Sequence, residues 1–173
     1  IFVKISSICP IKIIHQTSKE NVHLLKNFYE VNKIEHKVFT FDQNLNELLK
    51  QSDLCITRAG ASSLAELSLY NIPFIAIPLP TSRDNHQYEN AKFIKINRGG
   101  WIINQTSKNK DDLDNLIRYL IQNPENLVRA SNQIKKLSNR LDKLRNNKTP
   151  AEFLSEHILK IMNANQKVAS PIC

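Results

Sequence analysis

The sequence predicts an α/β fold, with a parallel sheet and helices on both of its faces. Short runs rich in Ile, Val and Phe alternate with longer segments of helical period, which is the pattern of βαβ units. The chain has 173 residues, of which 41% are hydrophobic and 23% are charged. That length and composition suffice for one hydrophobic core and exclude disordered and fibrous classes.

Five strands are predicted from the short apolar runs. They are Ile11–His15, Lys37–Phe41, Leu54–Thr57, Phe74–Ile77 and Trp101–Asn104. Helices are predicted between and after them, and Pro124 suits a first helical turn because its ring fixes φ. The predicted helices are Glu20–Val31, Leu45–Lys50, Ser63–Tyr70, Asn85–Asn97, Lys110–Gln122, Pro124–Arg145 and Ala151–Met162.

We expect residues 1–165 to form one domain and residues 166–173 to be a loose tail. The chain starts with Ile1 rather than Met, and its first segment is apolar from the outset. We therefore expect it to be a piece of a longer protein. The apolar stripe of the last predicted helix indicates packing on this domain or on a partner domain, and both alternatives stay open.

The three cysteines indicate a reduced, cytoplasmic setting and no zinc site. Cys9, Cys55 and Cys173 are widely spaced, with no CxxC pair and no matching histidine spacing. No run of eighteen apolar residues exists in the sequence, so no membrane-spanning helix is predicted.

The positive charge of the chain is concentrated in one stretch. The formal net charge is +8, and residues 129–148 contain seven basic residues and one acidic residue. Such a stretch could contact nucleic acid or an anionic membrane surface. A solvated, lysine-rich helix face is the more common explanation of this pattern, and we favour it.

A possible anion site follows the predicted strand Leu54–Thr57. Gly60 is one of only three glycines in the chain, and it lies between this strand and a predicted helix. The small residues around it, Ala59 to Ser63, leave the first N–H groups of the helix accessible. Those unpaired donors and the positive end of the helix dipole suit a phosphate or diphosphate.

Glu66 has two alternative interpretations. The segment Ser63–Glu66 fits the S-x-x-E capping box, in which the glutamate only completes the start of the helix. A carboxylate one turn into such a helix can instead accept hydrogen bonds from two ribose hydroxyls. This segment alone favours capping.

A second polar loop follows the predicted strand Phe74–Ile77. If the two strands are parallel neighbours, their following loops lie on the same edge of the sheet. The second loop carries a dense set of hydrogen-bonding groups that suits a polyol: Arg83, Asp84, Asn85, His86 and Gln87. Asp84 could instead be a helix N-cap, and His86 could be simply exposed to solvent.

Several ordered motifs resemble the C-terminal domain of the MurG family of UDP-N-acetylglucosamine transferases, in glycosyltransferase family 28. The motifs are Arg58–Glu66, Asn71–Pro78, Asp84–Ala91 and Gly99–Gly100, together with His15–Thr17 and Phe41–Asp42. The resemblance implies the C-terminal half of a two-domain GT-B glycosyltransferase with Rossmann-like halves. It also implies that the acceptor-binding N-terminal domain lies outside this chain.

The resemblance implies a role for most of the polar residues in the two loops. Glu66 would hold the ribose hydroxyls. The backbone of Ala61, Ser62 and Ser63, next to Gly60, would meet the diphosphate together with the Ser63 hydroxyl. His86 and Gln87 would contact the hydroxyls of N-acetylglucosamine.

The remaining implied roles are structural or involve the nucleobase. Arg58 and Asn90 would support the two loops, and the backbone near Phe41 and Asp42 would meet uracil. The family implies no tightly bound metal and no cofactor, and no catalytic base can be named in this chain. The pair His86–Gln87 replaces a glutamine pair found in some members, and both side chain types can bind a hydroxyl.

The implied reaction is an inverting transfer of N-acetylglucosamine from UDP-N-acetylglucosamine to lipid I, which gives lipid II for peptidoglycan. The implied partners are this donor, the lipid I acceptor, the missing N-terminal domain and an anionic membrane surface. The enzyme would be peripheral, on the cytoplasmic face of the bacterial inner membrane. We expect the isolated chain to bind donor weakly and not to turn over.

Two alternative functions remain open at this point. The first is a stand-alone donor-binding subunit of another lipid-linked GT-B glycosyltransferase. The second is a basic nucleic-acid-binding module, which is less favoured because no aromatic residues are interleaved with the basic stretch. We therefore expect no nucleic-acid partner.

Overall fold

A computed structural model describes residues 1–106 and 110–144 of the chain. The strands are β1 (Lys12–Gln16), β2 (Glu35–Phe39), β3 (Cys55–Thr57), β4 (Phe74–Ala76) and β5 (Gly100–Ile102). The α-helices are α1 (Phe2–Ser6), α2 (Val22–Val31), α3 (Leu45–Lys50), α4 (Ala61–Leu69), α5 (His86–Ile96), α6 (Lys110–Gln122) and α7 (Glu125–Leu144). Short 3-10 helices at Lys19–Asn21 and Arg83–Asn85 precede α2 and α5. The predicted helix Ala151–Met162 and the tail after it lie outside the described residues.

The strands form parallel ladders, as the alternating pattern predicts. β1 pairs with β2 from Lys12 opposite Glu35 to Gln16 opposite Phe39. β4 lies between β3 and β5 and is parallel to both. The predicted α/β class and its parallel pairing are therefore confirmed, with the hydrogen-bonded strands in groups of two and three.

The bounds of β2 differ most from the prediction. The strand begins two residues before the predicted Lys37 and ends at Phe39, so Phe41 lies beyond it. The reason is the turn that precedes the strand: Lys33 adopts a positive φ of 54°, and the chain is extended soon after it. Helix α1 was not predicted at all, because five residues are too few to show a helical period.

Other side chains cover both faces of β4, the middle strand of the three-stranded ladder. Ile75 packs in a buried cluster with Ile5 of α1 and with Ile117 and Leu120 of α6. Because side chains alternate along a strand, its neighbours Phe74 and Ala76 point to the opposite face. Both are fully buried, so β4 is shielded on its two faces.

Three helices end in the same hydrogen-bonded motif, a Schellman C-cap. Lys33, Asn71 and Arg98 follow α2, α4 and α5 and have φ values of 54°, 57° and 59°. In each case the next amide bonds the carbonyl five residues earlier, at distances of 2.9, 2.9 and 3.0 Å. Each helix therefore turns directly into the strand that follows it.

The chain divides into two compact units, Ile1–Ile134 and Lys135–Cys173. The sheet, its clusters and the Schellman motifs above belong to the first unit. Within residues 1–106 and 110–144, no helix combines the length and the apolar composition that a membrane span requires.

Gly100 allows the close approach of β4 and β5. A Cβ atom at this position would lie 2.6 Å from the backbone oxygen of Phe74, which cannot swing away as a side chain can. Gly60 differs, because a Cβ there would meet only the Ser63 hydroxyl, at an ordinary 3.9 Å, and the residue has a φ of −66°.

We predict that Gly100→Ala lowers the free energy of unfolding by about 2 kcal/mol, because the added methyl forces two buried strands apart. Gly60→Ala is the matched control and should change stability by less than about 0.5 kcal/mol. Urea denaturation followed by circular dichroism measures both. Equal stability of the two variants would show that β5 can shift away from Phe74 without loss.

Candidate functional site

Arg58 connects the ends of the three strands in the larger ladder. It directly follows β3, and its Nη1 atom donates to the backbone oxygen of Ile77, after β4, at 3.1 Å. The same atom donates to Oε1 of Gln105, after β5, at 2.6 Å. One guanidinium thus joins three loops at the carboxyl edge of the sheet.

Two amide side chains connect the loops further. Asn90 on α5 donates from Nδ2 to the backbone oxygen of Ala59 at 3.1 Å, across to the loop after β3. Gln87 in the first turn of α5 accepts the N–H of Leu79, in the loop after β4, on Oε1 at 3.0 Å. The two loops that the sequence predicts on one edge are therefore in contact there.

The first turn of α4 presents free backbone donors. The helix begins at Ala61 with Gly60 as its N-cap, and no side chain of the described residues caps it. The first helical hydrogen bond runs from the N–H of Leu64 to Gly60 oxygen, at 3.0 Å. The amides of Ala61 to Ser63 are thus the unpaired first-turn donors of a nine-residue helix.

The capping-box interpretation of Ser63 and Glu66 is wrong. Because α4 begins two residues before the predicted start, Ser63 is its third residue and Glu66 lies in its second turn. The carboxylate of Glu66 is exposed and has no hydrogen bond or ion pair within the described part of the chain. It is therefore available to a ligand.

The turn before α5 is strained. Asp84 and Asn85 have φ values of 50° and 54°, two consecutive left-handed residues without a glycine. Asn and Asp tolerate this conformation best among residues with a side chain. The N-cap of α5 is Asn85 and makes no side-chain cap bond, so the expectation that Asp84 could be the N-cap is wrong.

His86 is the first residue of α5 and is exposed, but its ring is held in place. Its Nδ1 lies 2.6 Å from the backbone oxygen of Arg83. A carbonyl oxygen only accepts hydrogen bonds, so Nδ1 carries the proton. The interpretation of His86 as a simply solvated residue is therefore incomplete.

Phe41 and Asp42 lie in the other ladder, just after β2. The Phe41 side chain is 74% exposed and borders a shallow depression that Lys19, Val22 and His23 also line. Asp42 accepts from Lys37 at 2.6 Å and from the N–H of Asn44 at 2.8 Å. These two hydrogen bonds, first from Lys37 and then from Asn44, lower the pKa of Asp42.

The carboxylate of Asp42 is therefore already hydrogen-bonded within a turn. A ligand at this segment would bind its backbone instead. The end of β1 holds the same segment, because Gln16 donates from Nε2 to Thr40 oxygen at 3.2 Å. These contacts of Phe41 and Asp42 are with residues of this ladder and its flanking segments. Arg58 and Asn90, by contrast, belong to or contact the loop that leads into α4.

Sequence reasoning missed Gln105. The signal was present, since Gln105 is a polar residue shortly after the third parallel strand, at the edge where the other loops lie. Within the described residues, no group of three His, Cys, Asp or Glu side chains is placed to hold a metal ion.

A sequence profile of the glycosyltransferase family 28 C-terminal domain matches residues 4–147. The match includes β1 to β5 and both loops at the carboxyl edge. The chain belongs to this family.

Named relatives of this family 28 domain agree with that assignment. The chain is 42% identical over 123 residues to the UDP-N-acetylglucosamine–N-acetylmuramyl-(pentapeptide) pyrophosphoryl-undecaprenol N-acetylglucosamine transferase of Pelagibacter ubique, covering 70% of the chain and 35% of the relative. The transferase of the same name from Rickettsia felis is 36% identical over 126 residues, with coverage of 73% and 35%. The chain thus spans about a third of the length of these curated relatives.

A solved structure supports the same family 28 fold. The crystal structure of Acinetobacter baumannii MurG matches with a TM-score of 0.66 and 26% sequence identity. The match covers 73% of this chain and 37% of the MurG chain. The predicted fold class, the C-terminal half of a GT-B glycosyltransferase, is therefore confirmed.

We predict that Arg58→Met loosens the carboxyl edge of this family 28 domain. Two hydrogen bonds are lost, and because the guanidinium is exposed we expect stability to fall by only about 1 kcal/mol. Hydrogen exchange of the amides of Ile77 and Leu79 and of those from Ile103 to Gln105 should accelerate most. Arg83→Met is the matched control, because Arg83 is 92% exposed and its contact with Asp84 is 3.6 Å. Equal exchange rates in the two variants would contradict a connecting role of Arg58.

Proposed function

We propose that this chain is the donor-binding part of a UDP-N-acetylglucosamine transferase that acts on the lipid-linked muramyl-pentapeptide lipid I. The observation that carries the proposal is the single polar edge of the β3–β4–β5 ladder. Three features lie next to one another at this edge: the uncapped start of α4, the unpaired carboxylate of Glu66 and the amide-rich loop after β4. The names of the relatives supply the donor and the acceptor.

The diphosphate of the donor binds at the first turn of α4. Free amides of Ala61, Ser62 and Ser63 and the positive end of the helix dipole favour an anion at this point. Gly60 supports this assignment, because the protein itself leaves room for a Cβ at that position. A ligand that approaches the backbone closely is a physical reason for a glycine there.

Residues on either side of the diphosphate site contact the nucleoside and the sugar of the donor. Glu66 accepts hydrogen bonds from the two ribose hydroxyls, and the backbone near Phe41 and Asp42 meets uracil. His86 and Gln87 contact the hydroxyls of N-acetylglucosamine. Arg58 and Asn90 hold the two loops in register, which is consistent with their hydrogen bonds to Ile77 and Ala59.

In the complete enzyme the 4-hydroxyl of the muramyl sugar attacks the anomeric carbon of N-acetylglucosamine with inversion. The bond from that carbon to the UDP oxygen breaks, and the α4 amides stabilise the charge that develops on the departing diphosphate. This chain spans 35% of the length of the Pelagibacter relative, and we assign the acceptor site and the base that takes the hydroxyl proton to the N-terminal domain that the family resemblance implies. We therefore expect the isolated chain to bind UDP without turnover.

We predict that Glu66→Gln weakens UDP binding by this chain between about tenfold and a hundredfold, because a charged acceptor of the ribose hydroxyls is lost. Isothermal titration calorimetry with UDP measures the effect. Glu30→Gln is the matched control, since Glu30 is an exposed glutamate on α2 and lies outside the two loops. Thermal denaturation of both variants should match that of the unmodified chain.

Two outcomes would overturn the donor site. The first is an unmodified chain that does not bind UDP at millimolar concentration. The second is a Glu66→Gln variant that binds UDP as tightly as the Glu30→Gln variant does.

We also propose that the enzyme associates peripherally with the anionic cytoplasmic face of the bacterial inner membrane. Lys135, Lys136 and Arg140 lie on the C-terminal part of α7 and are exposed. Each basic residue near an anionic bilayer contributes about 1 kcal/mol of attraction. A lipid-linked acceptor requires the enzyme to work at such a surface.

We predict that replacing Lys135, Lys136 and Arg140 by Gln lowers sedimentation of the chain with phosphatidylglycerol vesicles at least about tenfold. The control replaces Lys4, Lys26 and Lys95, which are also exposed, and so makes the same change in net charge. Equal losses in the two triple variants would show that general charge, and not α7, causes the binding.

A further inference from the structure

Gln105 lies in the loop after β5, to which the proposed function assigns no role. Its Oε1 accepts from Arg58 Nη1 at 2.6 Å, the shorter of the two hydrogen bonds that this nitrogen donates. The loop is anchored to the ladder, because the N–H of Ile103 donates to the Ala76 oxygen at 2.9 Å. Gln105 follows this bond by two residues, so its side chain extends from a strand end that the ladder fixes.

Arg58 connects this contact to the start of α4. It lies two residues before Gly60, the N-cap of the helix whose first amides are unpaired. Ala59 lies between them and is fully buried, and its oxygen accepts from Asn90 at 3.1 Å. The chain that leads into α4 is therefore held from two sides, by α5 through Asn90 and by the loop after β5 through Gln105.

The acceptor that the loop after β5 offers to Arg58 is neutral. Among residues 1–106 and 110–144, no carboxylate forms an ion pair with this guanidinium. A carboxylate at position 105 would form such a pair and cancel the positive charge. An amide oxygen accepts the same hydrogen bond without a charge of its own, so Arg58 keeps a net positive charge at this edge. That charge attracts an anionic ligand.

We propose that Gln105 is a positioning residue of the donor site, which acts through Arg58. Its neutral acceptor fixes the guanidinium, and with it the residues that lead to the free amides of α4. The positive charge of Arg58 remains available to the diphosphate of the donor. This inference rests on the proposed function, because it assumes that a nucleoside diphosphate binds at the start of α4.

The binding test titrates the chain with UDP and follows its amide signals in ¹H–¹⁵N correlation spectra, a method that suits weak affinity. Gln105→Met removes the acceptor at nearly equal side-chain length. We expect it to weaken UDP binding about fivefold, because one hydrogen bond that positions the site is lost. Gln122→Met is the matched control, since Gln122 is an exposed glutamine at the end of α6, and it should bind UDP as the unmodified chain does.

A double variant separates positioning from direct contact with the ligand. Arg58→Met alone should weaken UDP binding about tenfold, because position and charge are both lost. If Gln105 acts through Arg58, then Gln105→Met has no further effect in a chain that already carries Arg58→Met. Losses that multiply in the double variant, or equal UDP affinities of Gln105→Met and Gln122→Met, would overturn the proposal.

Gln105→Glu tests the neutrality of the acceptor, since it keeps the hydrogen bond to Arg58 and cancels the charge. We expect UDP binding to fall about threefold at about 0.01 M salt. The loss should vanish at about 1 M salt, where the Debye length is only about 3 Å. A Gln105→Glu variant that binds UDP as tightly as the unmodified chain at low salt would refute the role given to the neutral amide.

The connection can also be tested without a ligand. In the free chain, Gln105→Met should shift the amide signals of Ala59, Gly60 and Ala61, and Gln122→Met should leave them in place. Unchanged signals in Gln105→Met would show that Gln105 does not position the start of α4. Failure of the unmodified chain to bind UDP would instead overturn the proposed function, and the spectra of the free chain would still decide the positioning role.

Discussion

Burial of β4 on both faces is the constraint on which the site depends. Phe74, Ile75 and Ala76 are almost fully inaccessible, so the middle strand of the larger ladder cannot shift without opening the core. Its parallel neighbours β3 and β5 are fixed by its backbone hydrogen bonds. Because parallel strands end at one edge, the loops after them are brought together by the ladder rather than by contacts of their own.

Side-chain hydrogen bonds then fix the relative positions of the loops that the ladder brings together. Arg58 adds a hydrogen bond to the end of β4 and another to Gln105, and Asn90 adds one from α5 to Ala59. The two bonds of Arg58 are exposed and the bond of Asn90 to the buried Ala59 is half-buried, so we expect each to contribute about 1 kcal/mol to stability. Their main effect is to hold the free amides of α4 and the start of α5 in fixed positions relative to each other.

The fold was predictable where the pattern is long and repetitive. Alternating strands and helices specified a parallel α/β sheet, and α3 and α6 have the predicted bounds. The prediction failed where a few residues decide a boundary. Helix α4 begins at Ala61 because Gly60 is its N-cap, whereas Ser63 offers the better capping residue in the sequence.

For the site, spacing predicted the two loops on one edge but not their internal bonds. The partnership of Arg58 with Gln105 joins residues that are 47 positions apart, which no local pattern reveals. The tautomer of His86 depends on two left-handed residues, and sequence preferences only permit that conformation. The nature of the sugar came from the resemblance to a family and from no property of spacing.

The Schellman motifs after α2, α4 and α5 have a consequence for engineering. Lys33 and Arg98 hold a left-handed conformation that costs a residue with a Cβ atom about 1 kcal/mol, and glycine adopts it without that cost. Both positions lie at the amino edge of the strands, opposite the polar loops. Glycine at either position should therefore raise the thermostability of the domain without altering its chemistry.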